Sequence, residues 1–139
     1  MAVFSNLVLV FLSVIAYTAI ALENGTFEFS AAGWKNVAGQ YRYDRTAGRN
    51  GTGAIIFEST DPATDIAVPE QIIPVEAGRI YDFEAWLKCE NLIKPGATVM
   101  LSLLRKDMSK IKDIYTGGVR GTKDWQRLVV RIPRLNSDV

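Results

Sequence analysis

The chain has 139 residues, 48% of them hydrophobic and 22% charged, and its 16 basic and 15 acidic side chains give a net charge of +1. This is the composition of one globular domain, and the near-zero charge gives no electrostatic basis for binding nucleic acid or an anionic membrane surface. With no histidine and a single cysteine, the sequence excludes His-based acid–base catalysis and lacks the ligands of ordinary zinc or copper sites. Oxygen ligands remain, which suit calcium, sugars or a glycosidase with two carboxylates.

The first 22 residues carry no charged side chain, and Phe4–Ala21 is an apolar run long enough to cross a bilayer as a helix. The run ends in Ala19-Ile20-Ala21, the small-x-small pattern after which signal peptidase cuts. We therefore predict that residues 1–21 are an export signal and that residues 22–139 form a secreted, extracellular or periplasmic domain. An uncleaved membrane anchor is the alternative, and no other membrane contact is predicted.

After this segment come short β-branched or alternating runs separated by Gly, Pro, Asn and Asp, and none keeps a helical period over ten residues. The pattern predicts eight strands: Thr26–Ser30, Gln40–Asp44, Gly53–Ser59, Val68–Val75, Arg79–Cys89, Thr98–Lys106, Asp113–Thr116 and Trp125–Ile132. Strands this short, with turns this frequent, predict an all-β fold, a two-sheet antiparallel β-sandwich in one domain.

The longest predicted strand has two chemically different faces. Its odd positions from Tyr81 to Cys89 are apolar, whereas its even positions from Asp82 to Glu90 are charged except for Trp86. Because side chains alternate across a strand, the odd face should meet the core, with Cys89 as a small buried hydrophobe. A tryptophan among charges on the other face suggests a binding role.

Seven short motifs occur in a distinctive order: Asn24-Gly25-Thr26-Phe27-Glu28, Gly33-Trp34, Gly53–Phe57, Gln71–Gly78, Tyr81–Lys88, Val99–Leu103 and Gly121–Arg127. From about Asn24 to Pro133 this order resembles the jelly-roll carbohydrate-binding modules of families 4, 9, 16 and 22, which have the galactose-binding-like fold. The resemblance implies two packed sheets, one with a concave face that often holds the sugar. It also implies a polysaccharide or oligosaccharide ligand and a catalytic domain, usually a glycoside hydrolase, in a longer secreted chain.

The same resemblance implies a structural calcium ion, with Glu28 of the opening motif as a carboxylate ligand. In the family a further strand with an aromatic-Asp-Asp motif follows, and the residues between Pro133 and Val139 do not carry it. We therefore expect a jelly roll that lacks its C-terminal strand, with an incomplete calcium site and an unpaired sheet edge.

A sugar ring has an apolar face and a rim of hydroxyls, so its binding calls for an aromatic platform beside hydrogen-bonding side chains. Trp86, Tyr41 and Tyr43 are the candidate platforms, and Tyr115, before Gly117-Gly118, is a candidate aromatic on a loop. The candidate hydrogen-bonding residues are Glu84, Lys88 and Arg127.

Each candidate also has a purely structural interpretation. Trp86 could pack under a loop, the two tyrosines could be half-buried strand residues, and Trp34 and Trp125 are favoured as core residues. No pair of carboxylates is signalled at the spacing that glycoside hydrolysis needs, so we predict a non-catalytic module. The alternative function is a structural or adhesion sandwich that contacts a cell-surface protein.

Overall fold

The computed structural model describes residues 6–14, 24–39, 41–59 and 68–135. These ranges contain seven strands and one 3-10 turn, Arg49–Gly51. The strands are β1 (Asn6–Val14), β2 (Tyr41–Asp44), β3 (Ala54–Ser59), β4 (Tyr81–Ala97), β5 (Met100–Leu104), β6 (Lys110–Tyr115) and β7 (Val119–Ile132). The prediction of an all-β antiparallel fold is confirmed.

The strands form two sheets. The larger sheet has the order β2-β3-β1-β4-β7, and the smaller one is the hairpin β5-β6. Every pairing is antiparallel. The hairpin packs on the larger sheet through Leu101, Leu103 and Ile114, which meet Tyr81 and Phe83 of β4. A hydrophobic layer between two sheets is the arrangement expected of a β-sandwich.

The two faces of β4 are those that the alternation predicts. Tyr81, Phe83, Ala85, Leu87 and Cys89 are at most 8% exposed, whereas the intervening residues are half-buried. The burial of Cys89 confirms its prediction as a small hydrophobe. Beyond Leu87 the pairing of β4 with β7 shifts register three times, so the regular face ends there.

Two predicted strands are absent from the described structure. Thr26–Ser30 was predicted to be extended, but it forms a turn because Phe27 has a left-handed φ of 51° and its N–H bonds to the Asn24 carbonyl. Val68–Val75 contributes only an isolated bridge between Glu70 and Lys35. Its two prolines lack the N–H groups that a ladder needs.

Other boundaries differ in length. β4 continues past the predicted end at Cys89, through the turn-like sequence Lys94-Pro95-Gly96, as far as Ala97, and β7 begins at Val119 instead of Trp125. The two extensions pair with each other, because Leu92 lies opposite Gly121 and Ala97 opposite Val119. Pairing with a neighbour therefore overrides the local turn signals.

Strand β1 lies within the segment predicted to be an export signal. It pairs with β3 on one side and with β4 on the other, at the centre of the larger sheet. No helix in the described ranges is long and apolar enough to cross a bilayer. The removal of residues 1–21 stays a prediction, and residues 15–23 lie outside the described ranges.

The loop between residues 24 and 39 brings two aromatic rings to the larger sheet. Phe27 is fully buried, and its ring centroid lies 5.2 Å from that of Trp34. Phe27 and Ile55 form a cluster against which Trp34, Trp86 and Trp125 pack. The predicted packing roles of Trp34 and Trp125 agree with this arrangement, and the same cluster supports Trp86.

Candidate functional site

The polar face of β4 and β7 is organised by cross-strand pairs. Asp82 lies opposite Arg131 in the register, and the two side chains form a bidentate ion pair of 2.6 and 2.7 Å. Arg127 Nη2 lies 2.7 Å from Glu84 Oε2, and Lys88 Nζ lies 3.4 Å from Asp124 Oδ1. Three ion pairs of opposite charge therefore join β4 to β7 along this face.

Trp86 lies in the middle of this row of pairs. Its indole Nε1–H donates a 2.9 Å hydrogen bond to Glu84 Oε1, and the ring packs against the cluster of Phe27 and Ile55. The guanidinium of Arg49 lies over the ring, 3.6 Å from its centroid. The indole is therefore fixed at its edge, supported by the hydrophobic cluster and stacked against a cation.

Glu84 is the least exposed carboxylate of the row, with 12% of its side chain accessible. The hydrogen bond from Arg127 lowers the pKa of Glu84, and the bond from Trp86 lowers it further, while burial opposes both. The group is consequently ionised at neutral pH and serves as an acceptor. Arg127 is 55% exposed, so it keeps donors available to a ligand.

Arg49 is positioned by a tight turn in the loop between β2 and β3. The turn closes through a 2.7 Å bond from the Gly48 N–H to the Thr52 carbonyl, and Asn50 and Gly51 have left-handed φ angles of 59° and 77°. Arg49 makes no ion pair with another described residue. Sequence reasoning missed this residue because no periodic pattern connects the turn to β4.

Tyr41 and Tyr43 also reach the cluster that supports Trp86. They lie opposite Phe57 and Ile55 of β3, and both are half-buried. The ring centroid of Tyr41 is 5.0 Å from that of Phe57, and burial raises the pKa of its phenol. The Tyr43 hydroxyl donates a 2.9 Å hydrogen bond to the Phe27 carbonyl. Their role as sugar platforms stays a prediction.

Tyr115 belongs to the other sheet. It ends β6 opposite Met100 and is 59% exposed. Phe29, which sequence reasoning did not single out, is 79% exposed in the loop after the opening turn. These are the open aromatic rings of the described residues, and Tyr115 is not part of the row on β4 and β7.

A cleft of about 370 Å³ lies beside β7. Its polar lining residues are Arg120, Lys123, Gln126 and Arg127, and Val119 and Leu128 also line it. Arg127 both lines this cleft and binds Glu84, so the cleft adjoins the row of ion pairs.

Glu28, the predicted calcium ligand, is exposed. Nearby carbonyls of Ser30 and Ala32 accept hydrogen bonds from the Asn24 side chain, so the loop is closed by its own amide. Among the described residues, there is no group of three or more acidic or cysteine side chains that could hold a metal ion. The calcium ion stays a prediction from the resemblance.

Comparison with known families supplies the deciding observation. Residues 20–132 match the family described as a carbohydrate binding domain, CBM_4_9. The chain belongs to this family. No curated protein and no solved structure matches the chain.

The function of this carbohydrate-binding domain is therefore to bind carbohydrate, and such domains are generally non-catalytic. The matched range contains both polar surfaces described above, the row centred on Trp86 and the cleft beside β7. It does not contain β1, which ends at Val14.

Proposed function

We propose that this carbohydrate-binding domain is secreted and targets an attached or associated glycoside hydrolase to polysaccharide, with the row of residues around Trp86 as its sugar site. Holding the enzyme on its substrate raises the effective concentration of cleavable bonds without adding a catalytic group. The observation that carries the choice of site is the junction of Trp86, Glu84 and Arg127.

The chemistry of that junction suits a pyranose ring. The indole offers an apolar face, the ionised Glu84 accepts hydrogen bonds, and the half-exposed Arg127 donates them. Further donors on Arg120, Lys123 and Gln126 continue along the cleft. A glycan can therefore extend from the indole across β7.

Stacking on the covered face of Trp86 requires Arg49 to move. The cation–π contact that holds Arg49 contributes about 0.5–1 kcal/mol at a partly exposed site. A well-stacked sugar and its hydrogen bonds can contribute more binding free energy than this. We expect the guanidinium to swing aside when a sugar stacks on the indole. The turn at Arg49–Gly51 then acts as an adjustable edge of the site.

Binding at this site is tested by titrating the protein with soluble glucans, xylans and galactans while recording tryptophan fluorescence. The Trp86→Ala variant should bind about tenfold more weakly, the effect of losing about 1.4 kcal/mol of contact. Trp125→Phe is the matched control, because Trp125 packs against the same cluster and should leave the affinity unchanged. If Trp125→Phe weakens binding and Trp86→Ala does not, the sugar site lies elsewhere.

Targeting is tested by joining the domain to a glycoside hydrolase. Hydrolysis of insoluble polysaccharide should increase while hydrolysis of a soluble chromogenic glycoside stays constant, and Trp86→Ala should remove the gain. Equal rates on the insoluble substrate with and without the domain would contradict targeting.

The alternative, an adhesion sandwich that contacts a cell-surface protein, is favoured by one observation. Tyr41 and Tyr43 are half-buried, and the Trp86 ring is covered by the guanidinium of Arg49. Phe29, by contrast, is exposed to solvent and lies outside the row of residues around Trp86. A folded protein that responds to no glycan would support this alternative. In that case Phe29→Ser, rather than Trp86→Ala, should weaken attachment to cells.

A further inference from the structure

Strand β1 joins two parts of the larger sheet that do not otherwise meet. It makes five residue pairs with β3, from Asn6–Ser59 to Val10–Ile55, and eight with β4, from Leu7–Glu90 to Val14–Phe83. Among the described residues, β3 and β4 have no pairing with each other. Without β1, the backbone N–H and C=O groups along one side of each strand would lose their partners.

The residues that provide this strand lie outside the part of the chain that matches the carbohydrate-binding family. The family match begins at residue 20, whereas β1 ends at Val14. The matched range supplies β2, β3, β4 and β7 to the sheet and leaves the position between β3 and β4 to a segment from outside the match.

The residues of β3 and β4 on either side of this position determine which kind of strand fits between them. Ile55 and Ile56 of β3 are 1% and 2% exposed, and Leu87 and Cys89 of β4 are each 1% exposed. The positions of an inserted strand that point into the core beside these residues must carry no charge, because an unpaired buried charge is strongly destabilising. The sequence Asn-Leu-Val-Leu-Val-Phe-Leu-Ser-Val of β1 meets this demand and is rich in residues that favour strands.

We infer that the position between β3 and β4 is a binding site for an extended, uncharged apolar peptide strand, which residues 6–14 fill in the uncut chain. The strand runs antiparallel to both neighbours, so its backbone is bonded on both sides, as in the recognition of peptides by strand addition. Cleavage after Ala21 therefore leaves the segment bound without a covalent link. This inference is independent of the proposed sugar site.

The test uses the whole chain with a protease recognition sequence inserted after Ala21. After cleavage, the fragment of residues 1–21 should co-elute with the rest of the protein in gel filtration. An excess of a dye-labelled peptide of residues 5–15, made soluble by a terminal lysine tag, should exchange into the protein. Amide protons of β3 and β4 should stay protected from hydrogen exchange for as long as either peptide is bound.

The decisive result is whether protection in β3 and β4 depends on the peptide. If the fragment separates and these amides keep their protection, the inference is overturned. If the fragment stays bound and is replaced by the labelled peptide, the inference holds. If the fragment separates and protection is lost, the strand supports the sheet only while it is covalently attached, and the inference is likewise overturned.

Variants of the uncut chain give a second measurement. Val10→Pro removes an N–H from the middle of β1 and should lower the protection of the β3 and β4 amides by about tenfold or more. Ala19→Pro lies in the same apolar segment but outside β1, and should change nothing. Equal protection in the two variants contradicts the inference. If Val10→Pro fails to fold, the peptide exchange on the cleaved wild-type chain decides.

Discussion

The guanidinium of Arg49 is stacked on the indole of Trp86, with its central carbon 3.6 Å from the ring centroid. The two residues lie 37 positions apart and come from a turn and from the longest strand. Because the contact covers a ring that a sugar would use, Arg49 competes with the ligand. Replacing Arg49 therefore distinguishes a guanidinium that blocks the indole from one that contacts the bound sugar.

Arg49→Gln should strengthen the binding of a stacking sugar about two- to fivefold, because no cation–π contact of about 0.5–1 kcal/mol has to be broken. Fluorescence titration of the variant beside wild type measures the ratio. Arg45→Gln, an exposed change in the same loop, is the control and should have no effect. Weaker binding in Arg49→Gln would mean that the guanidinium contacts the sugar directly.

Glu84→Gln should lower the free energy of unfolding by about 1 kcal/mol at pH 7, since it removes a charged hydrogen bond from Arg127 and keeps an acceptor for Trp86. The pKa of Glu84 is lower in the folded protein than in the unfolded chain, so the stabilisation is present at neutral pH and is lost as the pH falls through the lowered pKa.

Urea unfolding of wild type and Glu84→Gln at several pH values measures this effect. The difference between the two proteins should shrink below about pH 4. Asp82→Asn is the comparison, because the pair of Asp82 with Arg131 is more exposed and should contribute less. A difference between wild type and Glu84→Gln that does not change with pH would contradict the ionic origin.

Tyr43→Phe should destabilise the protein by about 1 kcal/mol, because it leaves the carbonyl of the fully buried Phe27 without its 2.9 Å partner. Tyr41→Phe is the matched control, as the Tyr41 ring packs on Phe57 and its hydroxyl makes no hydrogen bond to the described residues. Thermal melts of both variants give the comparison. Equal losses would show that the hydroxyl of Tyr43 does not stabilise the opening turn.

Calcium should raise the melting temperature weakly, at concentrations of about 0.1–1 mM, if Glu28 supplies a single carboxylate to an oxygen-rich site. Chelation should reverse the shift, and Glu28→Gln should abolish it. Glu70→Gln, another exposed carboxylate change in a loop, should leave the shift intact. Identical melting curves with and without calcium would show that calcium does not stabilise this domain.

Several features of the site follow from the sequence. Residues two apart on a strand share a face, so the closeness of Glu84 and Trp86 could be predicted from their spacing alone. The burial of Leu87 and Cys89 on the other face was predicted for the same reason and is confirmed. Family resemblance supplied the class of ligand, which the family match bears out.

Other features depend on contacts that no local pattern encodes. Arg49 reaches Trp86 only because Asn50 and Gly51 adopt left-handed angles that turn the chain back. The left-handed angle of Phe27 likewise ends a run that was predicted to be a strand. For β1, a continuous apolar run is compatible with a leader, a membrane helix or a buried strand, and periodicity cannot distinguish these.

The hairpin of β5 and β6 is bonded only to itself within the described sheets and meets β4 through side chains such as Leu101 and Ile114. The hairpin can therefore separate from the larger sheet by losing only its buried side-chain contacts. The backbone hydrogen bonds of the larger sheet would stay intact. Trp86 lies on the other face of β4. Transient opening of the hairpin should therefore not change the affinity for sugar. A bound sugar should slow the exchange of backbone amide protons in β4 and β7 but not in β5 and β6.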